Sequence, residues 1–190
     1  RSFDELITSI EVVLCAVTLS AVYGIFQGLR GVPVNAAEID ITLNDTATGR
    51  IYGFFDNPNN FGQVLILFLP LFIALILMST GWKKRAFYAI AAIPPLIALI
   101  LTLSRSSWIG LAVALFVFAI FFDWRFIPLA AIAALIAYPI LPMSIQQRIM
   151  SMFNPADTST RYRTVIFNTI WPVIRDYWWT GLGLGNDAVM

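Results

Sequence analysis

Histidine is absent from the 190 residues, and cysteine occurs once, at Cys15. The first absence removes the commonest general base and metal ligand. The second rules out an intrachain disulfide and leaves no cysteine-built metal site. No cofactor or metal is expected. Charge is also scarce: 12% of residues are Asp, Glu, Lys or Arg, against about 25% in an ordinary globular domain. The net charge of +1 argues against a nucleic-acid partner. No signal peptide is expected from Arg1–Glu5, which has no basic n-region, and no Ala-x-Ala site follows the first apolar run.

Apolar residues fill the gap, at 59% of the chain. They fall in runs long enough to cross a bilayer, where about 20 residues are needed. The expected fold is an all-α, polytopic transmembrane bundle of about five spans, near 6–27, 61–80, 86–103, 108–122 and 126–142. Residues 1–190 read as one membrane domain, and as a piece of a longer protein, because the chain begins on Arg and stops within its last segment. Pro94-Pro95 predicts a kink in the third span, and Pro128 and Pro139 predict bends in the fifth. Gly81–Phe87 reads as a tight turn. Residues 143–190 form a long outer loop, not a span. Within it Arg161–Trp179 mixes Arg161, Arg163, Arg175 and Asp176 with many aromatics. That mixture predicts an amphipathic helix lying in the membrane interface, bent or broken near Pro172. The glycines of Gly181-Leu-Gly-Leu-Gly185 read either as a helix stop or as an anion-binding loop. The dinucleotide spacing is absent.

Lys83, Lys84 and Arg85 crowd one short connection, which places it in the cytoplasm by the positive-inside rule. Alternation then puts Gly28–Asn60, Ser104–Ser107 and residues 143–190 outside. A plain count of Lys and Arg does not follow the rule, because seven basic residues fall outside and five inside. The seven, however, are all Arg: Arg30, Arg50, Arg105, Arg148, Arg161, Arg163 and Arg175. Arg is the side chain suited to forked recognition of phosphate.

Thr102–Trp108 is the segment that concentrates this question. Arg105 stands among Ser104, Ser106 and Ser107 between two apolar runs. Two readings are open: a snorkelling residue that caps a helix end, or part of a cationic site for a bulky anion at the outer leaflet. Upstream, Asp56-Asn57-Pro58-Asn59 has the form of a turn that caps the second span.

Three segments together resemble the bacterial O-antigen ligase and polymerase superfamily, which includes relatives described as bicarbonate transporters. They are Gly49-Arg50…Gly53-Phe54…Asn57-Pro58-Asn59, then Leu103-Ser104-Arg105…Trp108, then Asp157-x-Ser159…Arg163…Phe167…Asp176…Gly181-x-Gly183-x-Gly185-Asn186. The resemblance runs from about Gly49 to Asn186. It implies a metal-independent, membrane-embedded glycosyltransferase in the bacterial cytoplasmic (inner) membrane, with its active face outward. Such enzymes move a glycan from an undecaprenyl diphosphate carrier to a hydroxyl on a glycan, lipid or protein acceptor. It further implies that Arg105 and Arg163 carry the transfer, with Arg50, Arg161, Asn57 and Asn59 also at the diphosphate. Arg161 competes with Arg163 for the same motif position. The resemblance implies a His base beyond the glycine-rich segment, and this chain has none. Asp157 and Asp176 are candidate bases, each with a local capping or pairing role as its plainer reading. The alternative function is transport of a small anion such as bicarbonate. That would call for polar groups at mid-membrane, and the second to fifth spans carry no charge inside. A purely structural membrane protein leaves the one-sided Arg set unexplained.

Overall fold

The computed structural model describes residues 3–32, 49–153 and 158–181, without the side chains of 144, 153 and 158–163. The described residues form helices, in the order α1 (Phe3–Arg30), α2 (Pro58–Met78), α3 (Trp82–Leu101), α4 (Arg105–Phe122), α5 (Phe126–Ala137), α6 (Met143–Met150) and α7 (Thr158–Asp176). Four of them, α1 to α4, are long and apolar enough to cross a membrane. The fifth apolar segment is shorter and runs Phe126–Ile140, closing in a 3-10 turn at Tyr138–Ile140. The chain divides into two compact units, Arg1–Ile149 and Met150–Met190.

In the first unit α3 packs against both α1 and α2, and α2 packs against α4. The buried residues keep helical spacing: Leu14, Val17 and Ala21 on α1, and Phe61, Leu65, Leu69, Phe72 and Leu75 on α2. Many other apolar residues, such as Leu19, Leu67, Ile90 and Phe121, face outward. In water that would be costly, and toward lipid it is the stable arrangement. Because lipid is as apolar as a leucine side chain, small residues at the contacts decide how closely these helices approach. A Cβ on Gly24 would lie 2.9 Å from the Phe61 ring, and one on Gly110 would lie 2.8 Å from Ile66 Cδ1. Tyr88 on α3 donates its hydroxyl to Glu11 on α1, so the carboxylate within the first span has a partner.

The prolines of the apolar segments are accommodated in different ways. Helix α3 runs without interruption past Pro94-Pro95. Pro95 has no N–H to give to the carbonyl four residues earlier, at Ala91. The Thr18 hydroxyl of α1 lies 3.0 Å from that carbonyl and shares its one proton between it and the Leu14 carbonyl, 2.9 Å away in its own helix. Pro128, by contrast, does not fall mid-helix. It is the third residue of α5, in the first turn, where no helical donor is needed. The tight turn at Gly81–Phe87 is also shorter than expected. Only Ser79–Gly81 separates α2 from α3, and Lys83, Lys84 and Arg85 already belong to the first turn of α3. Lys and Arg are good helix formers, and Arg85 Nε donates to the Ser79 carbonyl at 2.8 Å. Arg85 thus performs the helix-capping role that was one of the two readings of Arg105.

In the second unit α7 continues through Pro172 and ends at Asp176. Gly181 has φ +63°, and its N–H donates to the Tyr177 carbonyl at 2.8 Å. That bond closes a turn just past the end of α7, and the rest of the glycine-rich segment, Gly183 and Gly185, lies outside the described residues. Phe167 stacks on Trp171 with centroids 5.4 Å apart, and both rings are exposed.

Candidate functional site: an arginine-lined hinge at one end of the bundle

Helix α3 ends at Leu101 and α4 starts at Arg105, so Thr102–Ser104 alone turns the chain. The turn is tight enough to force Leu103 to φ +50°, a left-handed conformation that an L side chain adopts at some cost. Its polar groups turn inward. Thr102 is 0% exposed, Ser104 1% and Ser107 2%. The Thr102 hydroxyl donates to the Leu99 carbonyl at 2.7 Å, and the Trp108 indole N–H reaches the same carbonyl at 3.0 Å. Both serve a carbonyl that the end of α3 leaves without its helical donor. Arg105 is the first residue of α4, not a member of a free hinge.

The segment before α2 is pinned beneath this turn. Gly49 and Gly53 take φ +81° and +61°. Between them Ile51 is fully buried and donates its N–H to the Leu101 carbonyl at 3.3 Å. Gln27 Oε1 of α1 accepts the N–H groups of both Tyr52 and Gly53, each at 3.1 Å. Asn57 is the N-cap of α2, accepting the Asn59 N–H at 2.8 Å, with Pro58 as the first helical residue. The capping expected of Asn57-Pro58-Asn59 is therefore present, and Asn57 Oδ1 is engaged in it.

Arg50 and Asn59 meet the hinge directly. Arg50 Nε donates to the Thr102 carbonyl at 2.8 Å, and its Nη2 donates to Asn59 Oδ1 at 3.0 Å. The same Asn59 oxygen accepts the Ser104 hydroxyl at 2.9 Å. Ser107 in turn donates to Ser104 at 2.9 Å. Asn59 thus joins the segment that carries Arg50 to the turn that carries Arg105. Gly62 lets α2 approach closely enough for this: a Cβ there would collide with Ser107 Oγ and lie 2.9 Å from Ser107 Cβ.

A further arginine arrives from α6. Arg148 is 9% exposed, and its Nε donates to the Leu103 carbonyl at 3.2 Å. Sequence reading counted it only among the outer basic residues. Its one usable signal was membership of an outer set made wholly of Arg. Gly62 carries no signal of its own in the sequence, and Thr102 and Ser104, which stand in the segment marked by Arg105, act by shaping backbone and passing hydrogen bonds.

Arg50, Asn59, Arg105 and Arg148 therefore gather at one end of the first unit. Lys83, Lys84, Arg85 and Asp123–Arg125 stand at the other, where α2 joins α3 and α4 joins α5. Arg161 and Arg163 fall on α7, but their side chains lie outside the described residues, as do Asp157, Gly183 and Gly185. Asp176 is the last residue of α7 and is exposed.

A profile of the O-antigen ligase family matches residues 90–189, more than half of the chain. The protein belongs to the O-antigen ligase family. It is a multi-pass membrane protein of cell-surface polysaccharide assembly. The match takes in Arg105, Arg148 and Arg163, and it begins after Arg50 and Asn59, which the hinge contacts tie to it. It lends no support to anion transport. No curated protein and no solved structure matches the chain.

Proposed function

We propose that this O-antigen ligase family member transfers a glycan from an undecaprenyl diphosphate carrier to an acceptor hydroxyl at the outer face of a bacterial cytoplasmic membrane. In that reaction the acceptor oxygen forms a bond to the sugar's anomeric carbon. The bond from that carbon to the diphosphate breaks, the electron pair leaves with the diphosphate oxygen, and the hydroxyl proton passes to a base. The demand on the protein is to hold a departing polyanion, a task that fixed guanidinium groups meet without a metal.

The observation that carries the reading is the attachment of Arg50 to the Arg105 turn, through Thr102 O at 2.8 Å and Asn59 Oδ1 at 3.0 Å. A snorkelling arginine needs no second arginine fastened beside it. Arg163 joins the set by its motif position, with Arg161 as its rival. The test is transfer from a lipid-linked glycan by the full-length protein in vesicles. Arg105→Ala and Arg163→Ala should each abolish transfer while membrane insertion stays normal. Arg105→Lys should also be damaging, since it keeps the charge and loses the fork, and chelation of metal ions should leave the wild-type rate unchanged. Full activity in both alanine variants would overturn the reading.

A further inference from the structure

Helices α2, α4 and α5 leave a cleft of about 610 Å³ between them. Packed protein interiors hold few voids larger than a water molecule, and this volume falls within the range of ligand sites, about 300–1,000 Å³. Short side chains on facing helices make the room: Ala112 and Ala119 on α4, and Ala130, Ala133 and Ala134 on α5. Among the described residues every lining side chain is apolar. The indole nitrogen of Trp108, at one end of the lining, is already engaged with the Leu99 carbonyl at 3.0 Å. Such a cavity gives water no partners, so its natural filling is hydrocarbon.

The cleft is long rather than round. On α4 its lining runs from Trp108 through Ala112 and Leu115 to Ala119, positions that share one helix face. That run covers about 17 Å of helix axis at 1.5 Å per residue, a little over half of a hydrocarbon core of about 30 Å. Leu77, near the end of α2, and Phe126, the first residue of α5, stand at the far end. Trp108 stands at the hinge end, bonded to the same Leu99 carbonyl that Thr102 serves. Arg105 precedes Trp108 by three positions, so one face of α4 begins at the arginine and continues as apolar lining. The occupant that fits is an amphiphile with its polar end at the hinge and a single apolar chain in the cleft. Phospholipids carry two chains on one glycerol, whereas a polyprenyl carrier has one. We propose that the cleft between α2, α4 and α5 seats the isoprenoid tail of the lipid-linked donor, so that the protein reads the length of the carrier chain as well as its head. The tail site rests on the glycan-transfer reading and adds to it a second binding surface, made of residues that the transfer step does not use. Because the surrounding lipid is as apolar as the cleft, the preference comes from shape-matched packing and not from escape from water.

The experiment compares two donors that carry the same glycan diphosphate, one on an undecaprenyl chain and one on a geranyl chain, in transfer by the full-length protein in detergent micelles. The wild type should show a KM at least ~10-fold lower for the long donor. Ala112→Phe on α4 and Ala133→Phe on α5 fill the cleft from two sides. Both alanines are exposed, so the larger side chain enters the cleft and not the core. Each change should shrink the ratio of the two KM values by ~5- to 10-fold, through the KM of the long donor, as overpacking a shaped site does. Ala112→Val, a milder filling, should shrink the ratio less, and it carries the test if a Phe variant fails to fold. Equal KM values for the two donors in the wild type overturn the tail site. So does a ratio that no folded variant changes, or a KM that rises equally for both donors, as it would if the cleft took a phospholipid chain or another helix. If the wild type transfers from neither donor, the glycan-transfer reading itself fails.

Discussion

Arg50 and Arg148 donate their Nε–H groups to adjacent carbonyls, Thr102 O at 2.8 Å and Leu103 O at 3.2 Å. They are almost a hundred positions apart in the chain, and both side chains hold the turn between α3 and α4. Arg105, at the first position of α4, is carried by the part of the chain that these two bonds secure. The consequences can be measured residue by residue.

Asn59 is the first. Its Oδ1 accepts from both Arg50 and Ser104, so Asn59→Ala should release both at once. We expect transfer to fall by roughly 10- to 100-fold, the size of one or two lost charge-assisted bonds. Asn59→Asp keeps the acceptor and pairs with Arg50, so the fold should hold while diphosphate binding weakens. A steady-state rate beside a binding isotherm distinguishes the two variants.

Gly62 sets the distance between α2 and the start of α4. Gly62→Ala should lose about 1–3 kcal/mol, as overpacked sites do, because its Cβ meets Ser107 Oγ and Cβ. Ser107→Gly removes both atoms and should recover most of the loss. Thermal unfolding of the single and double variants in detergent provides the cycle.

Leu103 carries its strain in φ +50°. Leu103→Gly removes that strain and adds freedom to the unfolded chain, so its stability should stay within about 1 kcal/mol of wild type. Leu103→Val places a β-branched residue in the left-handed region and should cost roughly 1–2 kcal/mol. A Gly variant much less stable than the Val variant would show that the side chain, not the backbone, matters there.

Thr18 and Pro95 form a compensating pair through the Ala91 carbonyl. Thr18→Val should cost about 0.6–2 kcal/mol, the range for interhelical hydrogen bonds in membranes. In a Pro95→Ala background α3 regains the N–H that serves Ala91, so the same Thr18→Val change should cost much less. Equal losses in both backgrounds would mean that Thr18 acts by some other contact.

Much of this architecture was legible without coordinates. Apolar runs of about 20 residues allow little besides spanning helices, and Asn57-Pro58 marks the start of α2 by a local capping geometry that neighbouring residues alone decide. Helix ends were less legible. The first turn of α3 contains Lys83, Lys84 and Arg85, because helix propensity continues past the point where hydropathy stops.

The sequence by itself determined that the protein spans a membrane, and it marked Arg50, Asn59 and Arg105 as residues to examine. The first follows from composition and the length of the apolar runs; the second follows from the one-sided set of arginines and from the resemblance to the O-antigen ligase and polymerase superfamily. Tertiary structure alone decided that Arg50 and Arg105 share one turn, that Asn59 joins them, and that Arg148 belongs with them. Such contacts bridge dozens of residues through backbone carbonyls, and a carbonyl has no letter in a sequence. Which carbonyl stands ready to accept an arginine depends on where a helix ends and what packs behind it. At this turn those are the left-handed Leu103 and the missing side chain of Gly62.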